Sequence, residues 1–198
     1  MNDSKLGLSG SQTIGPFFKY GLAWTNGERA FPESAAGEKI EITGQVLDGA
    51  GSPINDAMIE FWQADAGGAF GGPTPGSCAG FARCYTSPEG RYVLHTRKPG
   101  AVAGTGAGTG AGTEAGTGAD TEGESQAPYI LVCLFSRGML AQVYTRLYFG
   151  DETANAQDAV LKAAGARAGT LIARAGGPGQ YAWDIVVQGA RETVFLDL

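Results

Sequence analysis

"YILVCLF", Tyr129–Phe135, is apolar throughout. A strand with one wet face alternates apolar with polar residues, whereas a short unbroken apolar run is the mark of a strand covered on both faces. The run therefore reads as the centre of a sheet. Working outward, "AQVYTRLYF" (residues 141–149) sets Val143, Thr145, Leu147 and Phe149 against Gln142, Tyr144, Arg146 and Tyr148, the period of two of a strand. Upstream, "SPEG" is a turn that opens "GRYVLHT", and "AMIEFWQA" (residues 57–64) is a strand with bulky side chains on both faces. "KIEITGQVLDG" places Ile40, Ile42 and Val46 on one face and Glu41, Thr43 and Gln45 on the other, with Asp48-Gly49 as its turn.

Past the centre, residues 154–164 are Ala-rich and form the one helical candidate. "GGPG" then turns the chain into "YAWDIVVQG", with Trp183, Ile185 and Val187 in register, and "ETVFLDL" reads as an edge strand. Several strands with turns and little helix predict an all-β chain, an antiparallel β-sandwich. The expected organisation is an irregular N-terminal arm over residues 1–39 and a β-sandwich domain over 40–198, with one short helix. A low-complexity loop, 104–126, is inserted between strands. Its Gly, Thr, Ala and Ser bury too little apolar surface to offset backbone ordering, which costs roughly 1–2 kcal/mol per residue. No window in it satisfies GxGxxG or GK[ST], so it does not read as a phosphate cradle.

The chain has 198 residues, enough for one buried core, and a net charge of -6. That balance argues against nucleic acid, which demands clustered Lys and Arg. No stretch is long and apolar enough for a membrane span, and the first residues lack the apolar core of a secretory leader. The three cysteines, Cys78, Cys84 and Cys133, have no CxxC spacing and read as reduced thiols of a cytoplasmic protein. His95 is the only histidine, so an all-protein transition-metal site would have to rely on carboxylates and tyrosines. No GxSxG elbow presents a nucleophilic serine. On residue chemistry alone the chain has poor means of catalysis.

Two polar features stand out. Arg137 follows the central strand and precedes Gly138, where a buried strand meets the surface. It reads either as a solvated strand end or as an anchor for an anion. In "SQTIGPFF" (residues 11–18), a Pro with fixed φ follows a permissive Gly, which makes a defined bend.

Four stretches taken together resemble the intradiol ring-cleavage dioxygenases: "SQTIGPFF", "ITGQVLDGAGSPINDAMIEFWQADAGG", "GFARCYTSPEGRYVLHTRKPG" and "APYILVCLFSRGMLAQVYTRLYFGDE". The likeness runs from Ser11 to the closing "RETVFLDL"; residues 104–126 stand outside it. It implies a β-sandwich (transthyretin-like) core and, in catalytic members, a ferric ion held by two tyrosines and two histidines. At the positions of the family's His-x-His this sequence has Tyr129 and Leu131. The first tyrosine falls at or near Phe70, and the second would lie beyond Gly100, where "AVAGTGAGTG" has none.

The resemblance therefore implies a chain that holds no metal. Fe(III) would be bound by a homologous, iron-bearing β subunit in a larger αβ oligomer. This chain would complete the substrate pocket with Thr13, Gly15, Pro16 and Arg137. The implied reaction inserts O2 between the hydroxyl-bearing carbons of protocatechuate and gives 3-carboxy-cis,cis-muconate. A stand-alone transthyretin-like β-sandwich used for binding or structure is the alternative. An exposed apolar surface beside the four pocket residues separates the two readings.

Overall fold

The computed structural model describes residues 9–15, 17–71, 79–103 and 126–197. Pro16, Cys78 and nearly all of the low-complexity loop lie outside them. The described chain is mostly β. Its strands are β1 (Lys39–Leu47), β2 (Met58–Gln63), β3 (Phe81–Tyr85), β4 (Arg91–Arg97), β5 (Tyr129–Phe135), β6 (Val143–Phe149), β7 (Ile172–Gly177), β8 (Gln180–Ala182) and β9 (Ile185–Val186). Two six-residue helices accompany them, α1 (Phe17–Leu22) and α2 (Ala159–Ala164).

The strands join in the order β3-β2-β5-β6-β7-β8-β1-β4, with β9 also on β1. β5 lies between β2 and β6, as its apolar run predicts. The two end strands nearly meet, and residues 27–30 stitch the gap. Arg83 N donates to Gly27 O and Gly80 N to Ala30 O on one side. On the other, Ala30 N donates to His95 O and His95 N to Glu28 O. Cys84 Sγ also reaches the Val93 carbonyl at 3.0 Å. The result is a barrel-like, nearly closed sheet.

The pairing departs from the expected antiparallel sandwich, because the sheet is mixed. β6 pairs β7 in parallel, and β1 pairs both β8 and β9 in parallel. A parallel partner needs a long crossover. Here the 3-10 turn Thr153–Ala156, α2 and the 3-10 segment Gly165–Leu171 carry the chain from the end of β6 to the start of β7. α2 answers the expected helix; α1 is a further one inside the arm. The alternating "YAWDIVVQG" is divided between β8 and β9, and the closing "ETVFLDL" contributes only the bridge Tyr144–Leu196.

Two cores result. The larger fills the barrel and includes Ile40, Ile42, Val46, Phe61, Leu94, Val132, Leu147 and Phe149. The smaller lies on the other face of β5 and β6, where Tyr129 and Tyr148 pack with Val160, Leu161 and Leu171. This second core explains why Arg146 and Tyr148, on the second face of β6, are buried.

Candidate functional site

The arm and the end of β5 meet over one cleft. Beyond β5 the chain turns at Ser136 and Arg137, with Gly138 at φ +84°, a conformation that favours glycine. Gly138 N donates to Thr13 Oγ1 at 2.9 Å, which ties the arm to this turn. Gly15 follows at φ +68°, and Phe18 of α1 packs its ring 5.5 Å from that of Phe135. Lys19 Nζ donates to the Thr86 carbonyl at 3.4 Å. The arm is thus fixed on the sheet by a hydrogen bond, an aromatic contact and an ammonium.

The cleft between them encloses about 260 Å³ and is lined by Ile14, Gly15, Phe18, Lys19, Asp56 and Arg137, among others. Arg137 Nε donates to Asp56 Oδ2, and Ser136 Oγ to Asp56 Oδ1 at 3.4 Å. The Arg137 side chain remains exposed. Two cations, Lys19 and Arg137, face one carboxylate, so the cleft suits an anion with a small apolar body beside Ile14 and Phe18. Tyr20, which also lines it, is 80 % exposed, and Phe17 on the same short helix and Leu140, three residues past Arg137, are exposed too.

Of the four residues expected at a pocket, Gly15 and Arg137 line this cleft and Thr13 bonds the turn that carries Arg137. Pro16 lies outside the described residues. Asp56 and Lys19 were not expected. An ion pair across 81 positions of sequence leaves no local pattern, and Lys19 sits on a helix too short to show a period.

Three of the positions where the family's iron ligands would fall, Phe70, Tyr129 and Leu131, lie elsewhere, by the β5–β6 face over the second core; the fourth, beyond Gly100, falls in a stretch largely outside the described residues. Phe70 and Tyr129 are neighbours, ring centroids 6.4 Å apart, and Leu131 stands opposite Arg146 in the ladder. Phe70 and Leu131 have no donor atom. The Arg146 guanidinium lies 4.0 Å from the centre of the Tyr129 ring. Burial pushes the adjacent Tyr148 phenol well above its ordinary range, although Arg146 opposes the shift. The phenol thus stays a hydrogen-bond donor. Among the described residues no group of three or more His, Cys, Asp and Glu is placed to hold a metal ion. At the described ligand positions a single phenol, Tyr129, stands beside a fixed cation, and that donor set does not fit ferric iron.

His95, the other residue with ligand chemistry, sits in β4 with Nδ1 3.5 Å from Glu41 Oε2, a surface contact. Cys84 and Cys133 are buried free thiols. Burial pushes both up, Cys133 to about 12, so neither is a nucleophile.

Residues 14–189 match the model of a protein family described as Dioxygenase. The chain belongs to this dioxygenase family. It is 36 % identical to the protocatechuate 3,4-dioxygenase alpha chain of Burkholderia cepacia, over 95 % of this chain and 96 % of the relative. The protocatechuate 3,4-dioxygenase beta chain of the same organism is 42 % identical over 72 residues, covering 33 % of this chain and 31 % of the other. Among solved structures, the dioxygenase domain of a dioxygenase carbohydrate-binding protein fusion from Streptomyces sp. SirexAA-E superposes with a TM-score of 0.61 at 25 % identity. That match covers 82 % of this chain and 88 % of the other. This dioxygenase chain thus follows an alpha chain nearly end to end, and a beta chain over about a third of its length.

Proposed function

We propose that this chain is the non-catalytic alpha subunit of a protocatechuate 3,4-dioxygenase. It completes the substrate pocket of a homologous iron-bearing beta subunit within a larger αβ oligomer, in the cytoplasm. The end-to-end similarity to an alpha chain carries the reading. The overlap with a beta chain supports a partner of related fold. The exposed Tyr20 in the cleft, with Phe17 and Leu140 exposed in the segments that flank it in sequence, favours a covered surface over a stand-alone transthyretin-like module. Free buried thiols suit a reducing compartment.

The complex would convert protocatechuate and O2 to 3-carboxy-cis,cis-muconate, with the redox chemistry supplied by Fe(III) in the partner. No step of it runs through this chain's own metal-ligand positions, whose donor set does not fit. What this chain contributes is binding and orientation. Arg137, with Lys19 nearby, draws the substrate's anionic groups to the cleft, and Asp56 orients the guanidinium by accepting from its Nε. Thr13, by accepting from Gly138 N, holds the arm so that Gly15 lines the cleft.

Arg137→Ala in the complex tests this. Iron content should stay unchanged, while KM for protocatechuate rises about 10- to 100-fold, the worth of a charge-assisted hydrogen bond. Unchanged kcat and KM would remove Arg137 from the pocket.

A further inference from the structure

Tyr129 and Leu131, at the positions of the family's histidine pair, both neighbour Arg146: its guanidinium lies 4.0 Å from the Tyr129 ring centre, and it stands opposite Leu131 in the ladder. Arg146 is 3 % exposed. It donates to Gln126 Oε1 at 2.8 Å and to Tyr148 Oη at 3.4 Å. Tyr148 Oη in turn donates to Asp158 Oδ1 at 3.0 Å, and Asp158 is 2 % exposed. Asp158 also caps α2, accepting from Val160 N at 2.9 Å and Leu161 N at 3.1 Å, and accepts from Ala127 N at 3.1 Å. One buried cation and one buried carboxylate, joined by a phenol, thus connect β6, the strand-side neck of the long loop and the helix that crosses to β7.

We propose that Arg146 is a built-in cation in the metal position of this chain. Its charge does two things there. It offsets Asp158 through Tyr148, so that the second core tolerates a buried carboxylate. It also bars a metal ion, because a di- or trivalent cation bound by Tyr129 would lie within a few ångströms of a charge that arginine does not shed. The inference uses the same ligand alignment as the proposed function but does not need the partner chain.

The full-length chain is compared with Arg146→Met, Asp158→Asn (which keeps the helix cap), the double variant and Arg146→Lys. Each is melted, and each is incubated with Fe(II), desalted in air and assayed for bound iron. The wild-type chain should retain far less than one equivalent of iron. Arg146→Met should lower Tm by about 10 °C, the loss expected when a buried carboxylate is deprived of the cation that offsets it. The double variant should lose clearly less than the sum of the single losses, and Arg146→Lys, which keeps the charge, should recover about half of the loss. Where Arg146→Met gives no folded protein, folding of the double variant carries the same conclusion. Additive losses, failure of the double variant to fold, or stoichiometric iron in the wild-type chain would overturn the proposal.

Discussion

Gly44 lies within β1 with the Trp183 carbonyl against its α-carbon: a β-carbon there would sit 1.7 Å from that oxygen. The closeness has a cause. Trp183 N donates to Thr43 O at 2.9 Å, and the Trp183 carbonyl accepts from the buried Tyr92 hydroxyl at 2.8 Å. The parallel β1–β8 contact is thus drawn in from both sides, and only a residue without a side chain fits between. Gly44→Ala is expected to cost about 3 kcal/mol or more, because backbone rather than a flexible side chain must move. Gly169→Ala, where a β-carbon meets nothing within 4 Å, should leave stability within about 0.5 kcal/mol of wild type. Chemical denaturation of the two variants checks the contrast. At this scale the sequence speaks unevenly. Gly44 is visible only as an interruption of an alternating strand. Arg137 and Thr13 are found through the motifs they sit in, and Asp56 joins them only in three dimensions.

At the level of elements, the KPG turn after β4 and the GDE turn after β6 are clasped by one side chain. Lys98 Nζ lies 3.0 Å from Asp151 Oδ2 and 2.8 Å from Glu152 Oε1, above the rings of Phe149 and Tyr181. Burial pulls the Lys98 ammonium down, but its hydrogen bonds to Glu152, Asp151 and Tyr181 outweigh that and hold it above its ordinary range. Burial pushes the Asp151 carboxyl up, and bonds from Lys98 and Tyr181 again prevail, leaving it below the usual value. A depressed carboxylate contributes stability above its unfolded pKa and loses it as pH falls through the folded one. Lys98→Met should therefore cost about 1 kcal/mol at neutral pH, with the deficit narrowing below about pH 4 as Asp151 is protonated. Urea titrations of both proteins at several pH values test this. β1 and β5 were legible because alternation and an unbroken apolar run each have one physical reading. β7, "IARAGG", was not: four of its six residues are exposed, and its parallel partner lies across a helical excursion that no local pattern announces. β3 escaped for a related reason, since its half-buried Arg83, paired with Glu60 at 2.8 Å, breaks up the apolar signal.

For the whole molecule, the barrel holds together without the low-complexity loop. Val102 and Gln126 exchange backbone hydrogen bonds of 3.2 and 2.8 Å at its neck, so the strands it joins are already fixed where it leaves them. Replacing residues 104–125 with a short Gly-Ser link should change stability by no more than about 2 kcal/mol, because closure cost grows slowly with length. Loss of folding or of assembly would show that the loop packs against something. The same division applies to function. In the reading proposed above, the buried Arg146 takes the place of a metal ion beside the second core, while the open cleft at Arg137 has the exposed Tyr20 in its lining. Whether this chain completes a site whose iron is elsewhere is read from iron content and protocatechuate-dependent oxygen uptake, for the chain alone and co-expressed with a candidate beta chain. An iron-free, inactive chain alone and an iron-bearing, active complex are expected. Stoichiometric iron with activity in the chain by itself would contradict that role.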